Sequence, residues 1–228
     1  YSDDNGKSWQ QAAVPVSVTL TKVKFVTPKK GWVLGHSGTV LHTDDGGETW
    51  VKQLDGIQAA QMALEAAKRK LEEGQGDPEQ LKRELANAQL LVDDGPDKPF
   101  LDMYFQDENK GLIVGAYNLI FLTEDGGATW QPWLDNVENP RALHLYAINK
   151  GQANIYMAGE QGLFLRSTDQ GLTFDAVSTP YDGTFFGLLP LKSGELLIFG
   201  LRGNAFLSKD RGSTWKKINT GATLAITA

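Results

Sequence analysis

One eight-residue pattern, Ser/Thr-x-Asp-x-Gly-x-Ser/Thr-Trp/Phe, occurs five times in this chain of 228 residues. A chain that repeats itself must fold as stacked copies of one unit, each burying its faces against its neighbours. The copies end in Trp9, Trp50, Trp130, Phe174 and Trp215 and are centred on Asp4, Asp45, Asp125, Asp169 and Asp210. The steps between those aspartates are 41, 80, 44 and 41 residues, so one step is doubled.

A unit of roughly 40 residues holds four short strands and their turns, which is the size of a propeller blade. The repeat extends upstream of each aspartate. Gly35-His36-Ser37-Gly38-Thr39-Val40-Leu41 aligns with the segments starting at Gly115, Gly159 and Gly200. Gly38, Asn118, Gly162 and Gly203 fall at one position of that alignment, and these residue types tolerate positive φ, which predicts a tight hairpin turn there. Further upstream, Leu20 to Val26, Leu101 to Phe105, Leu143 to Ala147 and Phe185 to Leu189 read as strands. The blade order is therefore strand A, strand B, tight turn, strand C, Asp motif, strand D. The fold class is all-β, a propeller of four-stranded blades forming a single domain over 1–228. At least four blades are recognisable. A further strand is expected over Thr223 to Thr227, and the chain reads as incomplete at its ends, with any signal peptide upstream.

The motif resembles the Asp box, or BNR repeat, of sialidases and of many non-enzymatic propellers. Its chemistry is structural. The aspartate accepts hydrogen bonds from its own turn, the glycine relieves strain, the hydroxyls tie the turn, and the aromatic ring packs between blades. A calcium loop of the EF-hand kind needs a glutamate at position twelve, which none of the five copies has.

The doubled step contains an insertion over 55–98. Ile57 to Glu73 is rich in strong helix formers, with Ile57, Ala60, Leu64, Ala67 and Leu71 on one stripe. Gly74-Gln75-Gly76 breaks it. Asp77-Pro78-Glu79-Gln80 then supplies an N-cap, a proline at the first helical position and a capping glutamine. A second helix follows with Leu81, Leu85, Ala88 and Val92 on its apolar face, which makes a helical hairpin.

In a propeller the B to C and D to A connections share one face, and the Asp boxes lie on the other. The candidate binding face therefore carries the hairpin over 57–92 together with His36, Ser37, Tyr117, Arg141, Glu160, Gln161, Tyr181 and Arg202. Residues of this kind, variable and placed on loops of a rigid scaffold, form binding surfaces. Strand A lines the central channel, where Lys22, Lys24, Asp102, Tyr104, His144 and Tyr146 are candidates for holding a small polar ligand.

Cysteine is absent, which excludes disulfides and thiolate chemistry. His36, His42 and His144 lie in separate elements, so no zinc set is expected and no metal or other cofactor is implied. A net charge of −6 argues against nucleic acid, and no apolar run reaches membrane-spanning length. A sialidase needs three arginines around the substrate carboxylate, a tyrosine nucleophile with a glutamate, and an acid/base aspartate. Of the arginines, Arg69 and Arg83 are on the hairpin, Arg211 is in an Asp box and Arg166 directly precedes another. Only Arg141 and Arg202 remain near the candidate face. Catalysis is not expected, and a sialidase-like glycan-binding or glycan-hydrolysing propeller is the alternative reading.

Two further segments carry a closer likeness. Lys30-Gly31-Trp32-Val33-Leu34-Gly35 with Gly38-Thr39-Val40-Leu41-His42-Thr43, and Lys110-Gly111-Leu112-Ile113-Val114-Gly115-Ala116-Tyr117, each lead into an Asp box. In this cadence the chain resembles the photosystem II stability and assembly factor family, with the helical insertion marking a bacterial branch. The resemblance implies a non-catalytic, seven-bladed propeller acting as a scaffold. It would aid assembly or stability of a membrane protein complex from the periplasmic or otherwise extracytoplasmic side.

Overall fold

A computed structural model describes residues 1–2, 4–74 and 76–227. Asp3 of the first motif, Gln75 of the break between the helices, and Ala228 lie outside the described residues. The chain forms four sheets of four strands each, antiparallel in the first, third and fourth, with a helical hairpin following the first in sequence, and has the propeller fold class. The first sheet is β1 (Leu20–Phe25), β2 (Gly31–Gly35), β3 (Thr39–Thr43) and β4 (Val51–Leu54). The hairpin is α1 (Gly56–Glu73) and α2 (Pro78–Asp93). The second sheet is β5 (Phe100–Phe105), β6 (Gly111–Gly115), β7 (Ile120–Thr123) and β8 (Gln131–Pro132). The third is β9 (Leu145–Lys150), β10 (Ile155–Gly159), β11 (Phe164–Ser167) and β12 (Asp175–Ala176). The fourth is β13 (Phe185–Pro190), β14 (Leu196–Gly200), β15 (Ala205–Ser208) and β16 (Lys216–Ile218). In every sheet the strands hydrogen-bond in sequence order.

Three of the four second strands are covered on both faces, and the fourth, β14, is half-buried at Leu197 and Phe199. β2, β6 and β10 are buried at every residue, which is why they read as unbroken apolar runs and not as alternating ones. β2, β10 and β14 each end on a glycine for a reason of space. A Cβ on Gly35 would lie 2.8 Å from the Thr19 carbonyl oxygen, one on Gly159 2.2 Å from that of His144, and one on Gly200 2.1 Å from that of Thr184. The residue just before the first strand crosses there, next to a bulge, and its carbonyl accepts the next amide: His36, Glu160 and Leu201 donate to Thr19, His144 and Thr184 at 2.9 to 3.1 Å.

The predicted tight turns are present, and two residues of each are left-handed. Gly38, Asn118, Gly162 and Gly203 have φ of 60, 59, 77 and 69°. The residues before them, Ser37, Tyr117, Gln161 and Arg202, have φ of 57, 54, 52 and 57°. Positive φ at both central positions is the geometry that matches the twist of paired strands.

The Asp boxes are closed hydrogen-bond units. In each copy the first hydroxyl donates to the aspartate Oδ1 at 2.7 to 2.9 Å. The oxygen of that first hydroxyl accepts from the glycine amide at 2.7 to 3.0 Å. The second hydroxyl donates to Oδ2 at 2.5 to 2.7 Å. The aromatic residues differ. Trp215 packs edge-on to Phe164 of the third sheet at 5.1 Å, Trp50 and Trp130 pack on Phe25 and Phe105 of their own sheets, and Phe174 is 1% exposed. Trp9 departs from the expected packing at 75% exposed, because its turn has no four-stranded sheet of its own among the described residues.

Contacts divide the chain into two compact units. The first comprises Tyr1–Phe100, Phe105–Gly111 and Leu122–Pro132, and the second comprises Leu101–Tyr104, Leu112–Phe121 and Trp133–Ala228. In the first unit Trp32 stacks on Phe105, with ring centroids 3.7 Å apart, and its Nε1 donates to Gln53 Oε1 at 3.1 Å. Gln53 in turn donates to the Gly126 carbonyl at 2.9 Å. In the second unit Phe164, Phe185, Phe206, Tyr156, Leu196 and Ile198 form the core.

The hairpin begins one residue earlier than expected. Asp55 caps α1 through a capping box with Gln58, and Gly74 closes it at φ 64°. Asp77 caps α2 by accepting from Gln80 N, and Pro78 is at its first position; the Gln80 side chain bonds Glu84 at 2.8 Å and does not reach back to the cap. The buried stripe of α1 runs through Ala59, Ala60, Ala63 and Leu64; Ala60 and Leu64 lie on it as expected, Ala59 and Ala63 widen it, Ala67 and Leu71 are half-buried, and Ile57, 65% exposed, lies off it. On α2 the buried residues are Leu81, Ala88 and Leu91. The two helices pack on each other and α1 packs on β8, with Lys70 bridging to Glu84 at 2.7 Å.

Two strand expectations need correction. The first strand of the third sheet starts at Leu145, not Leu143. The Asn139 side chain occupies both backbone groups of Leu143, accepting from its N–H at 3.1 Å and donating to its carbonyl at 2.9 Å, so that residue is held in a turn and lost to the sheet. No strand forms over 223–227; there Ile226 donates one backbone bond to the Gly200 carbonyl at 3.0 Å.

Candidate functional site

In each blade the tight turn between the second and third strands is fastened to the connection that leaves the fourth. In the first unit Gly56 N donates to the Ser37 carbonyl at 2.8 Å, and a Cβ on Gly38 would meet Gly56 Cα at 2.5 Å. In the second unit Asn139 donates to Asn118 Oδ1 at 2.9 Å. Thr179 and Thr220 donate through Oγ1 to the carbonyls of Gly162 and Gly203 at 2.9 and 2.7 Å. The fastening is a property of the repeat. It holds the exposed residue of each turn, His36 and Ser37 or Tyr117 or Gln161 or Arg202, on a rigid base.

The structure brings together several residues that the sequence placed separately. In the second unit the Tyr117 ring stands edge-on to His144 at 4.5 Å. Tyr146 lies 6.2 Å beyond His144, and Phe186 lies 5.1 Å beyond Tyr146, again edge-on. Glu160 reaches this row. Its Oε2 accepts the His144 backbone amide at 2.9 Å, and its Oε1 is 3.7 Å from His144 Nδ1. Burial, reinforced by the Glu160 charge, pushes the Tyr146 phenol above its usual range. Beside the row, Arg141 donates to Gln161 Oε1.

Other candidates are absorbed by the framework. Tyr181 lies against Phe185 and Phe206, each at 5.8 Å, and its hydroxyl donates to the Leu201 carbonyl at 3.1 Å, which explains a tyrosine there without a ligand. Asp102 is 7% exposed, accepts from Ile148 N at 3.0 Å and from Met103 N at 2.9 Å, and thereby pins two neighbouring first strands. Tyr104 is half-buried. Lys22 and Lys24 lie on β1, exposed along its whole length. Arg202 is exposed at its turn.

Sequence reasoning missed Phe186 and the Asn118 to Asn139 bond. Phe186 reads as an ordinary strand residue, and its only distinguishing sign is that it follows Phe185, so that two aromatic side chains point to opposite faces of one strand. The bond joins residues 21 apart in sequence, and nothing local signals it.

Among the described residues no three His, Cys, Asp or Glu side chains are arranged to hold a metal ion, and no helix is long and apolar enough to cross a membrane. A pocket in the second unit, lined by Gly151, Gln152, Tyr156, Pro190, Leu196 and Arg211, has a volume of about 20 Å³, room for about one water.

The chain matches the family described as photosynthesis system II assembly factor YCF48 over residues 2–81 and 81–227. It is 28% identical over 239 aligned residues to the photosystem II assembly protein Ycf48 of Synechococcus sp. (strain JA-2-3B'a(2-13)), covering 96% of this chain and 62% of that protein. It is 27% identical over 128 residues to the photosystem II assembly lipoprotein Ycf48 of Synechococcus sp. (strain CC9902), covering 55% of this chain and 38% of that protein. Among solved structures it resembles YCF48 bound to D1 peptide, with a TM-score of 0.61 and 21% identity over 91% of this chain and 57% of that one. The chain thus spans less than two thirds of the length of each of these relatives.

Proposed function

This chain belongs to the photosynthesis system II assembly factor YCF48 family, and from that premise we propose that it is a non-catalytic scaffold that aids assembly or stability of a membrane protein complex. The observation that carries the reading is the family match over both stretches of the chain, 2–81 and 81–227. The geometry supports it. Within each unit the short turns, fastened to the next connection, offer exposed side chains on a firm base, which suits a polypeptide better than a small substrate.

The partner is a polypeptide segment of such a complex; the relative solved as YCF48 bound to D1 peptide supports a peptide as the ligand. The docking elements are the turn residues His36, Ser37, Tyr117, Arg141, Glu160, Gln161 and Arg202, together with the hairpin. On the hairpin, the apolar stripe is spent between α1, α2 and β8, so its offered surface is Ile57 and Leu90, at 65% and 56% exposed. The site of action is extracytoplasmic, as the lipoprotein name of one relative suggests.

The test is affinity capture from detergent-solubilised host membranes, using the chain as it stands and a version with residues 57–92 replaced by a short Gly/Ser linker. Recovery of a membrane complex by the first and its loss by the second places docking on the hairpin. Recovery by both leaves the turns as the docking element. Recovery by neither contradicts the scaffold reading.

A further inference from the structure

Four rings drawn from three parts of the sequence make one half-open row in the second unit, in the order Tyr117, His144, Tyr146, Phe186. Tyr117 is 49% exposed, and the other three are partly exposed. The Glu160 carboxylate flanks the row, with its side chain 28% exposed. Among the described residues His144 is the only side chain within ion-pair distance of that carboxylate. Arg141, the nearest guanidinium in sequence to this row, is committed to Gln161.

We infer that this row receives an arginine side chain of the polypeptide partner. The inference rests on the scaffold reading. The physical case has three parts. Aromatic faces attract a cation placed within about 6 Å of the ring centroid, and a guanidinium stacks on them with little loss of hydration. Glu160 spends one lone pair on the His144 amide, so both carboxylate oxygens keep capacity to accept a planar pair of N–H donors. The chain as a whole carries a charge of −6, which draws a basic segment toward it. A sugar ring would also stack on these faces, but it would leave the carboxylate charge without a counterion.

Ring-resolved NMR of the intact chain tests the assignment, with the end-blocked peptide Gly-Gly-Arg-Gly-Gly as probe and the norleucine and citrulline peptides as controls. The arginine peptide shifts the Tyr146 and Phe186 ring signals saturably, and the two uncharged peptides bind at least about tenfold more weakly. Glu160→Gln lowers affinity for the arginine peptide by about tenfold, and Phe186→Leu lowers it by a few-fold while leaving the Glu160 contacts in place. Melting curves identify any variant that fails to fold, and Phe186→Leu then decides alone. Equal binding of the norleucine peptide, unchanged binding by both variants, or the absence of ring shifts overturns the proposal. Tetramethylammonium binding as tightly as the arginine peptide also overturns it, since the row would then be a site for any small cation. Repeating the membrane capture with Glu160→Gln separates the two readings: a silent arginine peptide with capture retained sinks the row and spares the scaffold, whereas arginine binding without any capture does the reverse.

Discussion

The Asp-box aspartates show how one residue type stabilises a repeat. In Asp4 and Asp210 the hydroxyl bond from the last Ser or Thr of the motif, then that residue's amide, hold the carboxyl down to about 2, against an ordinary 3.8. In Asp169 partial burial opposes the shift, but the Thr173 hydroxyl and amide outweigh it and bring the group to about 2. Asp45 and Asp125 are lowered in the same way by Thr49 and Thr129. A folded-state pKa below the unfolded value adds stability that is present above the unfolded value and is lost as pH falls through the folded one. Urea midpoints measured from pH 7 to pH 2 are therefore expected to fall chiefly below about pH 4, and the fall should be shallower when Asp169 and Asp210 are replaced by Asn. At the tight turns, Arg202 sits at φ 57° and ψ 34°, a conformation that costs a non-glycine residue about 1 kcal/mol and that asparagine tolerates better. Arg202→Asn should raise the urea-derived stability by about 0.5 kcal/mol. A drop would show that the arginine side chain makes contacts that outweigh its backbone strain.

The fastening of turn to connection is the device that matters at the scale of elements. Asn139 is 5% exposed and serves three groups, Asn118 Oδ1 and both backbone groups of Leu143. Asn139→Ala leaves buried partners unpaired and should cost about 2 to 3 kcal/mol by chemical denaturation. In the hairpin Leu64 is 4% exposed, and Leu64→Ala should cost about 2 to 4 kcal/mol. A cost below 1 kcal/mol at Leu64 would mean that the helices are held by their caps and the Lys70 to Glu84 bridge more than by their stripe. The blade order and tight turns were legible because Gly38, Asn118, Gly162 and Gly203 mark a backbone requirement that few residues meet. Helix existence was legible for a similar reason, in the Asp77-Pro78 start and the Gly74 stop. The burial of Ala59 and Ala63 in place of Ile57 was not, since it depends on where α2 and β8 lie. Nor was the start of the third sheet, because Leu143 has strand propensity and loses it to a side chain four residues away.

At the scale of the whole molecule, repetition sets the same left-handed turn in each sheet and leaves its exposed residue free to differ. Tyr117, Gln161 and Arg202 occupy equivalent left-handed positions with unrelated chemistry. That is the pattern of a surface specialised by position and not of an active centre that gathers its groups into a cleft. Membership of an assembly-factor family is shown, and the scaffold proposed from it has the fastened turns as its meeting place with another polypeptide. The measurement that tests this most directly is site-specific photo-cross-linking in the native host, with a photoreactive phenylalanine analogue at Gln161 or Arg202 on the turn face and at Lys209 beside an Asp box. The account predicts adducts to a subunit of a membrane complex from Gln161 and Arg202 and none from Lys209; equal adducts from all three positions, or none from the turns, would contradict it.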